Sequence, residues 1–539
     1  MKRRTFLNRV AGTSLAAGAG AYGLLRNPSP ASAEGWGAWP TDRLDVAVPP
    51  ELRANKVLEL CFHGGISQWE TFYSVPEWGE GIRFARLFED DLGLRPQDVY
   101  NEICELDELG NDPRGNPIER FNYFADDSNG LPINLGPWLY PLKQRPDILD
   151  RMRVVVQRHN QVAHEGANPL SFTGHFLGNP RMAGLGSAIQ RHFSERPNGQ
   201  RALPYSYVLY PGGAGFSGFN AASASSIGFH PGSARPLNVT VAADSVLTQL
   251  LARPALGGGN TEAFDDLISH YADRYRSRFR PRGVGQPTRS VERDNYEFAN
   301  FARRNAPELM SVLDPSLFTA LQGSTCGDSP AFPADTSADP DMPAMMARMA
   351  RRLLGPTGDA RYVCWIDTGL FPRPEVGYDV HQEHVSFTSR SVPHTMQQLA
   401  DSIRGPGNME GDDLIDLDET LVILNMEFGR TPVRQTPTSS GTNHHPWGYV
   451  NVMIGGPTGR TGVSGSPSRG VYGAIEEVDG SQLGYASTFV TPAENRVMAL
   501  SALGIYPFSS QSFAVADIRA GDTEEESAEW IRNQAWGIG

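Results

Sequence analysis

The chain has 539 residues, of which 40% are apolar and 20% charged, so it can bury a large core and is not disordered as a whole. Its formal net charge of −14 gives it no basic surface for gripping phosphate backbones, which argues against nucleic-acid binding. The four cysteines contain no C-x-x-C spacing, which excludes a zinc ribbon and a thioredoxin-type motif.

The first 33 residues predict an export signal. Adjacent arginines at positions 3 and 4 precede a weakly apolar stretch over 10–25 and the small-residue pattern Ala31-Ser32-Ala33. This order is typical of a twin-arginine signal peptide, and the stretch is short for a membrane span of roughly 20 apolar residues. A plain N-terminal helix or anchor is the alternative. We expect the twin-arginine translocation machinery to export the chain, and a mature protein of net charge −19, without a stable membrane anchor, in the periplasm or outside the cell.

Short apolar runs alternate with helical patterns along the rest of the chain. Near-continuous apolar runs bounded by Gly, Pro or Asp predict strands buried on both faces, over 57–62, 154–156, 205–209, 362–366, 420–425 and 449–454. Amphipathic patterns predict helices over 342–354 and 392–403, each with a proline only at its start. Residues 34–539 therefore predict a single α/β domain with a mostly parallel central sheet flanked by helices.

One stretch interrupts this alternation. Residues from about 261 to 322 are charged and favour helix without any strand signal, which predicts a helical insertion against the sheet.

The G-x-G-x-x-G spacing over 213–218 opens no clear helix and has no acidic residue at the expected interval, which argues against dinucleotide binding. Cys61 and Cys364 lie in predicted buried strands, whereas Cys104 and Cys326 lie in polar segments where they could form a disulfide.

Loops at the carboxyl ends of parallel strands gather functional residues, so the residues after each predicted strand are candidates. The first loop starts with His63 and a pair of glycines and reaches Glu70 seven residues later. His63 and Glu70 are residue types that ligate metals. The alternative is a tight turn with a solvated carboxylate.

The second loop carries His159 and His164. His164-Glu165 begins like the H-E-x-x-H helix of zinc proteases, but Asn168 stands at the fifth position and Gly166 is a poor helix former, so that motif is absent. Both histidines could still be ligands, or simply be hydrogen-bonded in a loop.

The third loop carries Asp379 and His381, with His384 as a further option. Residues two apart in an extended segment point to the same side, so this carboxylate and imidazole form a half-site for a hydrolytic divalent metal.

The fourth and fifth loops are close together in the sequence. Glu427 directly follows a predicted strand, and Arg430 three residues later could hold an anion; a surface ion pair is the alternative. His444 and His445 are adjacent, so in an extended segment at most one of them would face a metal.

In chain order, these loops resemble a twin-arginine-exported bacterial family called domain of unknown function 1501, which is related to sulfatases and alkaline phosphatases. Five motifs carry the resemblance: Gly64-Gly65-x-Ser67, Tyr378-Asp379-x-His381, Glu427-Phe428-Gly429-Arg430-Thr431-Pro432, Gly441-x-Asn443-His444-His445-Pro446 and Gly470-Val471-Tyr472-Gly473-Ala474. The resemblance covers roughly residues 57–505.

The resemblance implies an alkaline-phosphatase-like fold whose strand-end loops present metal ligands. Asp379 and His381 match the Asp/His ligand pair of the relatives, Glu427 falls where they have Asp, and His444 falls at their last His. His63 lies nearest to their first-strand Asp.

The same resemblance also shows departures from the family pattern. His164 falls at the position of the relatives' nucleophile, where no Ser, Thr or Cys is present. The family's usual Ser-His-x-x-Asp reads Ser67-Gln68-Trp69-Glu70 here, and Asn443 replaces the usual Asp before the final His.

The sequence thus predicts an exported metal-dependent hydrolase of phosphate or sulfate esters, acting on an anionic small molecule or polymer. The expected cofactor is a divalent metal, zinc, calcium or another, held by Asp379, His381, Glu427, His444, Glu70 and His63. His164 and Arg430 are the expected catalytic residues. The alternative is a non-catalytic exported binding or assembly protein with a degenerate site on the same fold.

Overall fold

The computed structural model describes residues 37–73, 122–124, 133–176, 184–194, 207–210, 237–238, 261–278, 342–369, 378–381, 385–409, 412–436, 441–458, 470–477, 484–508, 518–519 and 521–538. Five features predicted from the sequence lie outside these ranges: the export signal, the glycine motif at 213–218, His384, the pair Cys104 and Cys326, and residues 279–322 of the insertion.

Fourteen strands occur in the described residues. They are β1 (Lys56–Phe62), β2 (Asn122–Phe124), β3 (Ile133–Leu135), β4 (Met152–Gln157), β5 (Tyr207–Tyr210), β6 (Leu237–Asn238), β7 (Tyr362–Asp367), β8 (Thr420–Met426), β9 (Gly429–Arg434), β10 (Thr442–His445), β11 (Tyr449–Gly455), β12 (Gly470–Tyr472), β13 (Ala474–Glu477) and β14 (Gly484–Thr488).

The α-helices of the same residues are α1 (Tyr140–Lys143), α2 (Pro146–Leu149), α3 (His164–Thr173), α4 (Leu185–Ser194), α5 (Thr261–Arg278), α6 (Met342–Leu354), α7 (Val385–Ser402), α8 (Pro492–Ala502) and α9 (Glu524–Trp530), and a π-helical turn, Ile531–Ala535, follows α9. No helix among the described residues is both long and apolar enough to cross a membrane.

Eight strands form the central sheet, in the order β12-β4-β11-β8-β1-β7-β5-β6. Seven of them run in one direction, and β11 alone is antiparallel to its neighbours β4 and β8. The six strands predicted from apolar runs are all present, as β1, β4, β5, β7, β8 and β11. The predicted α/β class with a mostly parallel sheet is confirmed.

The sheet is buried on both faces, which explains the continuous apolar runs. Alternate residues of β1 enter different cores: Leu58 and Leu60 belong to one, and Val57 and Cys61 to the other. Helices α6 and α7 contribute methionines to the first core, and α4 and α8 contribute aliphatic side chains to the second. Cys61 and Cys364 are buried free thiols, as their strand positions predict.

The helix predicted over 342–354 is observed with those bounds, and α5 provides a helix at the start of the predicted insertion. The prediction for 392–403 is wrong at its start, because α7 begins at Val385 and contains Pro393 in its interior. An interior proline removes one backbone hydrogen bond, but α7 packs against α6 and α1, and such tertiary contacts override a local signal.

The parallel strands place the candidate loops at one edge of the sheet. The carboxyl ends of β1, β7 and β8 lie side by side, and β4 lies beyond β11 with the same direction as β8. His63 follows β1 directly, and Glu427 follows β8 directly. The segment after β4 leads into α3, which begins at His164 although Gly166 favours a loop.

Candidate metal centre

At the end of β1, the backbone lies close to the loops after β7 and β8, and this contact region forms the buried floor of the site. Gly64 and Gly65 have φ values of +92° and +72°, a conformation that side chains disfavour. A Cβ atom on Gly64 would overlap the backbone nitrogen of Asp379, and one on Gly65 would overlap the carbonyl of Phe428. The paired glycines therefore let the loops after β7 and β8 touch the end of β1.

Glu427 is the buried carboxylate of this floor. Its Oε1 accepts a hydrogen bond from the Gly64 amide at 2.7 Å and lies 2.9 Å from His164 Nδ1 and 3.5 Å from His63 Nδ1. Its Oε2 is buried and has no hydrogen-bond partner among the described residues. Burial would raise the pKa of Glu427, but the charge and hydrogen bond of His164 outweigh it and lower that pKa below its usual value.

Asp379 is the second carboxylate and lies nearer the surface. Its Oδ1 is 2.8 Å from His444 Nε2 and 2.9 Å from His381 Nε2, and its Oδ2 is 3.0 Å from His164 Nε2. Burial would raise the pKa of Asp379, but the hydrogen bond from His164 and the charge of Arg430 hold it well below its usual range.

The outer ends of His381 and His444 fix their tautomers. His381 Nδ1 donates to Gln435 Oε1 at 2.8 Å, and His444 Nδ1 donates to the Val162 carbonyl at 2.6 Å. In the neutral rings, each Nε2 then carries a lone pair. These two nitrogens lie 3.0 Å apart and both face Asp379 Oδ1. Three electron pairs thus converge on one point, which is the arrangement that a cation satisfies.

His164 lies between the two carboxylates at the first turn of α3. Burial would lower its pKa, but Glu427 and Asp379 raise the pKa to about 10, so the ring is protonated in the metal-free protein. His63 behaves in the opposite way, since burial lowers its pKa to about 4 and keeps its ring neutral.

Two groups of side chains within the described residues have ligand atoms close enough to hold a metal ion. One contains His63, His164 and Glu427, and the other contains His164, Asp379 and His444, with the ligand atoms of each group within 4.8 Å of one another. His381 adjoins the second group through its contacts with Asp379 and His444.

A comparison with protein families bears on this site. The family described as "Protein of unknown function (DUF1501)" matches residues 54–478, about four-fifths of the chain. The chain belongs to this family. Comparisons with curated proteins and with solved structures gave no significant match. The resemblance to DUF1501 predicted from the loop motifs is therefore confirmed, and both ligand groups lie inside the matched range.

Arg430 of this DUF1501 protein, predicted to hold an anionic substrate, is fully buried and directed into the protein. Its guanidinium donates to Asp379 Oδ1 at 2.6 Å and to the carbonyl oxygens of Gly64, Tyr378 and Thr442. One side chain thus fixes Asp379 and joins the loops after β1 and β7 to strand β10.

Three other predicted candidates lie apart from the ligand groups. Glu70 is buried but belongs to neither group among the described residues. His445 faces away from the cluster, with its Nε2 at 2.6 Å from the Gly484 carbonyl, as adjacent residues of an extended segment predict. His159 supports the site from outside: its Nε2 donates to the Glu427 carbonyl at 2.7 Å, while its Nδ1 accepts from the Gln161 amide.

Sequence reasoning missed the residues that orient the ligands. Gln435 and Val162 set the tautomers of His381 and His444, and no spacing in the sequence points to either of them. Asn451 holds the Met426 amide, one residue before Glu427, through its side-chain oxygen at 2.7 Å. Such partners are defined only by the folded geometry.

Proposed function

We propose that this protein is an exported metal-dependent hydrolase of phosphate or sulfate esters. The observation that carries the proposal is the convergence of Asp379 Oδ1, His381 Nε2 and His444 Nε2, which lie 2.8–3.0 Å apart. No hydrogen-bond pattern satisfies three lone pairs aimed at one point without adding a proton, whereas one divalent cation satisfies all three.

The donor set fits a divalent transition metal. Ligands about 2.0–2.1 Å from a tetrahedral zinc ion are about 3.3 Å from each other, which is within a few tenths of an ångström of the observed separations. Imidazole nitrogens suit zinc and similar ions, whereas calcium takes oxygen ligands. The supporting hydrogen bonds from the outer nitrogens of His381 and His444 are those that metal-bound histidines commonly make.

A bound ion of this kind supplies a Lewis acid and lowers the pKa of a water molecule to near neutrality. The chain's own residues orient the site. Arg430 fixes Asp379 through a 2.6 Å ion pair, and Gln435 and Val162 fix the imidazoles. The side chain of His381 is 32% exposed while that of Glu427 is fully buried, so a substrate would approach from the His381 side.

The ester class rests on the resemblance to sulfatases and alkaline phosphatases together with the charge of the site. Arg430 is turned inward, so a metal ion would be the main positive charge available to an anionic substrate. His164 stands at the predicted nucleophile position, but both of its nitrogens face carboxylates. Water therefore fits the role of attacking group better than His164. Export through the twin-arginine pathway would place this activity outside the cytoplasm.

The test uses the mature chain, stripped of metal and then reloaded with zinc or manganese. We expect metal-dependent hydrolysis of aryl phosphates or aryl sulfates that is lost in His444→Asn. The variant His270→Asn, which changes an exposed histidine of α5, should keep it. The proposal would be overturned if the mature chain bound no metal and hydrolysed neither substrate class.

A second candidate is a non-catalytic binding or assembly protein. The observation that favours it is that the carboxylates are already paired within the chain, Asp379 with Arg430 and both carboxylates with His164. Metal binding at full stoichiometry without turnover on either substrate class would support this candidate.

A further inference from the structure

His164 has carboxylates at both ends of its ring. Its Nδ1 lies 2.9 Å from Glu427 Oε1, and its Nε2 lies 3.0 Å from Asp379 Oδ2. In the metal-free protein the ring is an imidazolium and can donate one N–H to each carboxylate, and once it has lost both protons each nitrogen has a lone pair directed to a different carboxylate. The ring is placed so that each nitrogen belongs to a different acidic group.

Each end of the ring continues into a separate ligand group. On the Nδ1 side, His63 Nδ1 lies 3.5 Å from the same oxygen of Glu427. On the Nε2 side, His444 Nε2 lies 2.8 Å from Asp379. The two groups that could hold a metal share only His164.

We propose that His164 bridges two divalent metal ions as an imidazolate. The inner ion would be held by His63, Glu427 and His164 Nδ1, and the outer ion by Asp379, His444 and His164 Nε2, with His381 adjoining. Each ring nitrogen gives its lone pair to one ion, and the protons of the ring pass to solvent. This inference rests on the metal binding of the proposed function and adds the number of ions and their connection.

The unpaired Oε2 of Glu427 supports an inner ion. It is a fully buried carboxylate oxygen without a hydrogen-bond partner among the described residues, and such an atom carries a large desolvation cost unless a cation or donor compensates it. In the bridged centre, Glu427 has a cation beside its carboxylate as well as the amide of Gly64.

The two ions would differ in exchange rate. The side chains of His63 and Glu427 are 5% and 0% exposed, whereas those of Asp379 and His381 are 19% and 32% exposed. We therefore expect the outer ion to leave first during dialysis against a chelator, and the inner ion to be retained longer.

The test is copper substitution of the metal-stripped mature chain, followed by metal analysis and electron paramagnetic resonance. We expect two Cu²⁺ ions per chain and a loss of the isolated Cu²⁺ signal at low temperature, because an imidazolate couples the two spins. His164→Gln should restore an uncoupled signal, and His381→Asn should weaken only the outer ion. His270→Asn is the matched control, and circular dichroism checks that each variant is folded.

The outcomes separate this inference from the proposed function. One ion per chain, or two ions with uncoupled signals in the wild type, overturns the bridge even if the loaded protein hydrolyses esters. A coupled pair without turnover on phosphate or sulfate esters supports the bridge and contradicts the hydrolase. The spectroscopic result comes from the wild-type protein, so it does not depend on whether His164→Gln folds.

Discussion

Two fully buried carboxylates, one within β1 and one directly after its neighbour β8, have opposite surroundings. Glu59, in the middle of β1, accepts hydrogen bonds on both oxygens from Arg496, and further ones from Asn425 at 2.7 Å and Tyr362 at 2.5 Å. Glu427, directly after β8, receives the Gly64 amide and an imidazole on one oxygen and has no hydrogen-bond partner on the other within the described part of the chain.

This difference distinguishes a carboxylate with a structural role, Glu59, from one that is available as a metal ligand, Glu427. A buried carboxylate costs several kcal/mol unless its charge and lone pairs are compensated, and Arg496 with its neighbours does this for Glu59. Within the described residues, the accepting oxygen of Glu427 has the imidazoles of His63 and His164 as its ion-pair neighbours, and imidazole is itself a metal-ligand type. Burial alone does not distinguish the two roles, but the hydrogen-bond donors around each carboxylate do.

The largest expected effect follows removal of the compensated charge. Glu59→Gln leaves the buried guanidinium of Arg496 without its counter-charge, so we expect the free energy of unfolding to fall by about 3–5 kcal/mol. Urea unfolding of the metal-free protein measures this change. The double variant Glu59→Gln with Arg496→Met should recover part of the loss, and a cost below about 1 kcal/mol for the single variant would contradict a structural role.

Glu427→Gln should lower mainly the affinity for metal and have a smaller effect on stability. We expect the affinity for zinc to fall roughly 100-fold, about 2.7 kcal/mol, because a charged ligand is lost. The free energy of unfolding of the metal-free variant should fall by less than for Glu59→Gln, because His164 keeps Asp379 as a carboxylate partner when the charge of Glu427 is removed. Equilibrium dialysis with metal analysis gives the affinity, and an unchanged affinity for Glu427→Gln would show that this carboxylate is structural like Glu59.

Gln435→Ala removes a hydrogen bond that orients the ligand His381 and leaves the ligand residues themselves unchanged. Gln435 is exposed and accepts the Nδ1–H of His381, so its loss should lower zinc affinity by about 10-fold with little change in stability. The matched control is Gln397→Ala on α7, whose side chain pairs with Asp401. Equal zinc affinities for the two variants would contradict an orienting role of Gln435.

The smallest effect is expected from pH in the metal-free protein. The pKa of His164 is raised to about 10, so its ring stays protonated below that pH. The pKa values of His63, His159 and His445 are lowered to about 4, so their rings stay neutral above it. None of these four imidazoles should titrate between about pH 6 and 8, where an ordinary histidine does. Histidine NMR signals measure this, and a midpoint near 6.5 for His164 would contradict its placement between two carboxylates.

The fold was largely predictable because parallel strands buried on both faces leave continuous apolar runs in the sequence. The antiparallel direction of β11 was not predictable, since an apolar run such as 449–454 carries no information about direction. The start of α7 was missed because Pro393 looks like a first-turn residue until its helix is seen packed on α6.

The site was predictable to the extent that strand order determines it. His63, Asp379 and Glu427 come together because their strands are neighbours and end at one edge. The inward direction of Arg430 and the exclusion of Glu70 could not be predicted, because both depend on side-chain contacts between distant loops. The two-sided position of His164 depends in the same way on where α3 begins.

The most direct test of a metal centre is X-ray diffraction from crystals of the mature protein loaded with zinc, recorded above and below the zinc absorption edge. We expect an anomalous peak about 2.0–2.2 Å from the ligand atoms of Asp379, His381 or His444, with the ion pair between Arg430 and Asp379 retained. A map without a peak at this cluster, in which His164 and Arg430 alone neutralise the two carboxylates, would contradict it.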